Sequence, residues 1–173
     1  DSDANKSRSN GSAVFTNVNI QAARTQAILP SIPELRGTSG YMALQGQIAV
    51  TDPLLSSSQC FYGGADIGRG YDSGALSADH CLMGTIELRH DWYQNTLGAQ
   101  VYAFGDAAYL RRKGDLSLSE TRSLGAQSVG GGVRMSKQSS MQADLQMALP
   151  IRESATGNGK STPRFFLKFS ANY

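Results

Sequence analysis

Residues 141–151, Met-Gln-Ala-Asp-Leu-Gln-Met-Ala-Leu-Pro-Ile, change character at nearly every step. In an extended chain Met141, Ala143, Leu145, Met147, Leu149 and Ile151 fall on one side, and Gln142, Asp144 and Gln146 on the other. A helix would spread both groups around its circumference, so the segment reads as a strand. The alternation recurs along the chain. Val14, Val18, Ile20 and Ala22 oppose Asn17, Asn19 and Gln21, and Met42, Leu44, Ile48 and Val50 oppose Gln45 and Gln47. Leu82, Gly84, Ile86, Leu88 and Trp92 oppose Thr85, Glu87, Arg89 and Asp91. Val101, Ala103, Gly105, Ala107 and Tyr109 oppose Gln100, Tyr102, Phe104 and Asp106. A weaker, Gly-rich segment at 124–136 sets Val129, Val133 and Met135 against Ser128 and Arg134. At the end of the chain, Phe165, Leu167, Phe169, Ala171 and Tyr173 oppose Phe166, Lys168, Ser170 and Asn172. The expected fold class is all-β, with seven strands in an antiparallel up-and-down meander.

The connections alternate too. Short links such as "HDWYQNTL" and "SKQSS" exchange with long polar ones, "RRKGDLSLSETRS" and "RESATGNGKSTPR". Unlike ends of this kind suit an up-and-down transmembrane barrel. About eleven residues at ~3.4 Å each span about 26 Å when tilted near 45°, which matches the apolar band of an outer-membrane barrel. A mean hydropathy of −0.31 does not oppose this, because alternating strands average to polar values. A soluble β-sandwich shows the same alternation and stays open as an alternative. The barrel reading is preferred because one face is modestly apolar with aromatics at its ends, while the other carries Glu87, Arg89, Asp106, Asp144 and Lys168. On parity alone, Arg is expected to be costly at Leu145 and tolerated at Gln146. Seven is an odd count, and single-chain bacterial barrels close with an even one, so the strands are expected to be the C-terminal part of a larger barrel.

Other function classes find little to stand on. A net charge of +2 is too small to argue for nucleic acid. "GNGKST" at 157–162 has Ser154 where a phosphate-binding loop needs its first Gly, and no helix pattern follows. His80 and His90 lack metal-ligand spacing, and no catalytic constellation stands out, so neither a metal, a cofactor nor an enzyme is expected. Residues 1–12 are a polar segment without core-forming residues, and residues 13–173 carry the strands. In "GADIGRGYDSG", residues 64–74, a single arginine sits among glycines with an aspartate on either side. So flexible a segment needs a partner elsewhere in the chain to hold Arg69.

The stretch "DPLLSSSQCFYGGADIGRGYDSGALSADHCLMGTIELRHD" carries an Asp-Pro, an Arg-Gly-aromatic tip and an "ELR" strand, and "YAFGDAAYL" follows with a Phe-x-Asp. Together these resemble the two-partner secretion transporters (TpsB; hemolysin activation/secretion proteins), in the superfamily that includes the assembly factor BamA. The resemblance covers nearly all of 13–173. It implies the last seven strands of a barrel of about sixteen in the bacterial outer membrane. Residues 1–12 would then be extracellular, and 53–81 the long loop that folds into the lumen.

Further implications follow from the resemblance. The loop tip, Gly68, Arg69, Gly70 and Tyr71, would enter the lumen, where Arg69 pairs with Asp106 beside Phe104; Glu87 is a second acceptor. Phe169 and Tyr173 would form the C-terminal signal read by the barrel assembly machinery. The implied function is export of a large partner exoprotein from periplasm to surface (type V secretion), with membrane lipid, the exoprotein and the assembly machinery as partners. A BamA-like assembly role is the nearest alternative. Cys60 and Cys81, where the family usually has other residues, bracket the loop. A disulfide between them is expected, with two unconnected buried thiols as the alternative.

Overall fold

The computed structural model describes residues 7–8, 11–28, 31–114, 121–137, 140–152 and 162–172. Their strands are β1 (Asn17–Ala27), β2 (Thr38–Ala49), β3 (Cys60–Tyr62), β4 (Leu76–Ala78), β5 (His80–Gln94), β6 (Leu97–Arg111), β7 (Ser123–Lys137), β8 (Met141–Arg152) and β9 (Arg164–Ala171). Seven of them form one antiparallel sheet in the order β1-β2-β5-β6-β7-β8-β9. These are the seven alternating segments of the sequence. Strands β3 and β4 pair only with each other, as a small hairpin inside the 53–81 loop that the alternation does not reveal. β1 and β9 are the two edges, and the sheet is open among the described residues. Tyr173 and all but the last residue of "GNGKST" lie outside those residues.

Register fixes what each face presents. Thr85 lies opposite Asp106 and Glu87 opposite Phe104 across β5 and β6. Asp106 and Phe104 in turn lie opposite Ser128 and Gly130 of β7. A one-residue slip would send all these side chains to the other face. The β5–β6 turn is only Asn95 and Thr96, shorter than the "HDWYQNTL" link, with Asn95 at φ 53° as a tight hairpin turn requires.

The two faces reverse the usual distribution of polar and apolar groups. On the outer face Ile20, Leu44, Ile86, Leu88, Leu145 and Leu167 are all exposed. On the inner face, which the 53–81 loop covers, Glu87, Asp106, Ser128 and Gln146 are buried. The inner face is not polar throughout, however. Near the loop's hairpin Met83, Leu110, Leu124 and Ala126 form an apolar seat for Tyr62, Leu76 and Ala78. A folded-in hairpin needs apolar surface beneath it, and these residues supply it.

The glycines of β7 have a packing role. A Cβ on Gly130 would stand 2.4 Å from the Phe104 ring and 2.1 Å from the Met147 carbonyl oxygen. One on Gly132 would stand 2.6 Å from the Tyr102 hydroxyl. The inward-facing rings of β6, Tyr102 and Phe104, therefore each lie over a glycine of the next strand. The same face corrects the expectation for Gln146, whose side chain donates to the loop carbonyl of Ala65 at 2.7 Å and accepts from Tyr102 at 3.1 Å. Arg at Gln146 would break both contacts.

Gly130→Ala is expected to destabilise the fold by about 1–3 kcal/mol through overpacking. Gly105→Ala, whose Cβ would meet only a side-chain carbon at 3.7 Å, should be close to neutral. Equilibrium urea unfolding of the two variants checks the contrast.

Candidate functional site

The loop between β2 and β5 is fastened at its base. Cys60 of β3 and Cys81 of β5 form a disulfide with Cα atoms 6.5 Å apart. Closing a loop of this size contributes roughly 3 kcal/mol in the chain-entropy picture. Asp79 is wholly buried beside it. Its carboxylate accepts from the Arg8 guanidinium at 2.8 Å, from Leu54 N–H at 2.7 Å and from Lys113 N–H at 2.8 Å. Burial works to raise the Asp79 carboxyl, but Arg8 and the two backbone donors together hold it below the usual carboxylate range. This anchor is therefore intact above the ordinary carboxylate range and is lost as pH falls through the lowered value. Lys113 adds a second tie, its ammonium donating to the carbonyls of Ala49, Val50 and Thr51. Arg8 thus packs within a segment that its composition marks only as polar.

From this base the loop crosses the inner face to Arg69, which is 2% exposed. Its Nε and Nη2 donate to Oδ2 and Oδ1 of Asp106 at 3.0 and 2.7 Å, the two-pronged fit of a guanidinium on a carboxylate. Nη1 donates to Glu87 Oε1 at 2.6 Å and Nη2 to Thr85 Oγ1 at 2.7 Å. The backbone N–H groups of Gly68 and Arg69 also reach Asp106 Oδ2, at 3.1 and 3.0 Å. The guanidinium carbon lies 3.3 Å from the centre of the Phe104 ring, which rests on Gly130. Asp106 and Glu87 therefore act together on Arg69. Gly68 sits at φ +75°, where a side chain would be strained and would meet the Tyr62 ring at 2.8 Å. A Cβ on Gly70 would lie 2.7 Å from Ser128 and Pro150, so only glycine lets the tip approach β7 and β8 this closely.

The rest of the tip is held by contacts beyond the Asp106 and Glu87 acceptors that the sequence suggests. The Tyr71 hydroxyl donates to the Gln127 carbonyl and accepts from its N–H, at the register shift between Gln127 and Ser128. Arg164 Nε donates to the Gly70 carbonyl at 3.0 Å. The aspartates flanking Arg69 pair with cations of β9, Asp72 with Arg164 and Asp66 with Lys168. On the wall, Glu87 also receives Arg89 at 2.7 Å and Arg134 at 3.2 Å. Arg134 stacks 3.7 Å above Tyr102, which rests near Gly132, and pairs with Asp144 at 3.1 Å. Two arginine-on-aromatic pairs thus sit side by side and share one glutamate.

The site's chemistry is ion pairing and hydrogen bonding. No group of three or more His, Cys, Asp or Glu among the described residues could hold a metal ion. Phe169 lies on the outer face, exposed and opposite Ala143, away from this cluster. Sequence reasoning missed Arg134, Tyr102, Gly130 and Gly132. The available signal was the i, i+2 spacing of Tyr102 and Phe104 on β6 beside the Gly-Gly-Gly run of β7. Comparison with protein-family models, curated proteins and solved structures gives no match. The family resemblance therefore rests on the sequence motifs alone.

Removing one member of a buried ion pair costs about 3–5 kcal/mol, because the other charge is left buried and unpaired. Arg69→Ala and Asp106→Asn are each expected to loosen the loop strongly. The double variant should lose less than the sum, with a coupling of at least about 1 kcal/mol. Limited proteolysis within 63–75, read across the four proteins, measures that coupling; simple additivity would show that the contact does not hold the loop.

Proposed function

We propose that this chain is part of a bacterial outer-membrane β-barrel that exports a partner polypeptide, with residues 53–81 as a loop folded into the lumen. The observation that carries this reading is the reversal of the two faces. An exposed band of Ile, Leu and Val on one side suits lipid, and buried Glu87, Asp106 and Arg69 on the other suit a polar interior. A soluble sandwich would do the opposite, burying the aliphatic face. The open edges of β1 and β9 would be completed by further strands of the barrel.

Export requires a pore that holds itself closed and opens for its cargo. The loop suits such a part because it has a covalently fixed base and a tip held by reversible ion pairs. Buried pairs make poor net stabilisers, since desolvation offsets most of their attraction. They are selective nonetheless: the docked position satisfies every charge, and a partly withdrawn one does not. That gives two well-separated positions, as a gate needs. The Arg-Gly-Tyr tip and Phe-x-Asp motifs add the family-level inference of two-partner secretion.

Placing Arg on the outer face at Ile20 should cost about 2–4 kcal/mol in refolding from urea into lipid vesicles if that position faces the mid-membrane. Gln21→Arg, one residue along and facing inward, should change stability by less than about 0.5 kcal/mol. Equal effects would exclude the membrane reading. The pore itself is tested by conductance of the full-length protein in planar lipid bilayers. Arg69→Ala and Asp106→Ala should each raise the open fraction over wild type; unchanged conductance in both would overturn a gating role for the loop.

A further inference from the structure

We propose that the wall beneath the loop tip is a preformed receptor for a guanidinium group, which Arg69 fills in the docked state and an arginine of a passing polypeptide fills when the tip withdraws. The receptor follows from the wall's own geometry, whereas its second ligand, a segment of the exported chain, rests on the pore reading above.

Four features of the wall match a guanidinium. Asp106 offers two oxygens to adjacent N–H groups. Glu87 takes a third donor at 2.6 Å and Thr85 a fourth at 2.7 Å. The Phe104 ring supplies a flat floor 3.3 Å below the guanidinium carbon. An ammonium is a compact, strongly hydrated point charge, and it can satisfy neither the two-pronged contact nor the flat stacking. The constellation selects arginine over lysine by shape as well as by charge.

The wall does not need Arg69 to hold these groups in place. Glu87 is kept by Arg89 and Arg134, both carried on sheet strands. The Phe104 ring is seated on Gly130 and flanked by Tyr102, with ring centres 6.1 Å apart. Asp106 keeps a hydrogen bond from Ser128 at 3.3 Å. The other contacts described for its carboxylate come from Gly68 and Arg69, so Asp106 is the group that withdrawal leaves unmatched. A carboxylate fixed beside an aromatic face, with its cation removed, favours the same cation from another source. Preorganisation of this kind lowers the cost of binding, because little has to be ordered afterwards. Access exists as well: a polar cavity of about 250 Å³ adjoins Arg69, lined by Glu87, Arg89, Arg134, Gln146 and Lys168 among others.

The test uses full-length Arg69→Ala protein in detergent micelles and calorimetric titration with ethylguanidinium, ethylammonium, acetyl-Gly-Arg-Gly-amide and its lysine counterpart. Ethylguanidinium and the arginine tripeptide should bind in the millimolar range, each at least about tenfold tighter than its ammonium partner. Adding Asp106→Asn should abolish that preference. Equal affinities, or no binding by either guanidinium compound, would overturn the receptor. Binding of ethylguanidinium without the tripeptide would overturn engagement of a polypeptide arginine. Should Arg69→Ala not fold, the same probes are present during refolding. Recovery by the guanidinium probes and not by their ammonium partners supports the receptor, and recovery by both kinds or by neither overturns it. Failure of the pore reading alone would leave these titrations intact and show only in the bilayer conductance.

Discussion

A guanidinium buried to 2% exposure is the constraint that organises this inner face. Such a charge is tolerated only where the surroundings return what water would have given it. Asp106, Glu87, Thr85 and the Phe104 face do so here, and each makes a demand of its own. Phe104 must lie flat, so its neighbour on β7 is glycine. Glu87 must stay ionised while buried, so Arg89 and Arg134 converge on it. Arg134 must be held over Glu87, and Tyr102 and Asp144 hold it. Much of the polar composition of β5 to β8 follows from seating one arginine.

Within the same site a wall carried on strands meets a tip carried on a loop. The wall residues stand on paired strands, in a register that side-chain packing enforces. The tip is a loop with glycines where it turns and where it presses closest to the sheet. The disulfide and the Asp79 cluster fasten the base of that loop to the sheet. The flanking pairs of Asp66 and Asp72 with β9 are exposed and contribute little energy. Their effect is to orient the tip on both sides of the arginine.

The strands were legible in the sequence because period-two alternation is a direct consequence of strand geometry, and it assigned Glu87 and Asp106 to the inner face without further information. The need of Arg69 for a distant partner was legible from its glycine surroundings. Less could be read where the answer depended on which strands are neighbours. Gly130 looks like a weak point in a strand until Phe104 is known to lie across it. Gln146 looks like a tolerant polar position until the loop is seen to rest on it. Met83, Leu110, Leu124 and Ala126 break the polar pattern of the inner face only because a hairpin from another part of the chain lies above them. The hairpin's own strands, three residues each, are too short to show any period.

The loop's contacts also carry an order in time. It precedes in sequence nearly everything it docks on: Arg69 meets Glu87 and Asp106, Tyr71 meets Gln127, and Gly70 meets Arg164, 94 positions later. The base is different, because Cys60 and Cys81 are separated by only 21 residues and need β5 alone. Entropy favours short closures first. The loop can therefore be fastened early and still wait, with its tip unplaced, until β6, β7, β8 and finally β9 have joined the sheet. Docking of the tip then waits on β9, and a chain stalled before β9 pairs would be left with the arginine tip only partly seated.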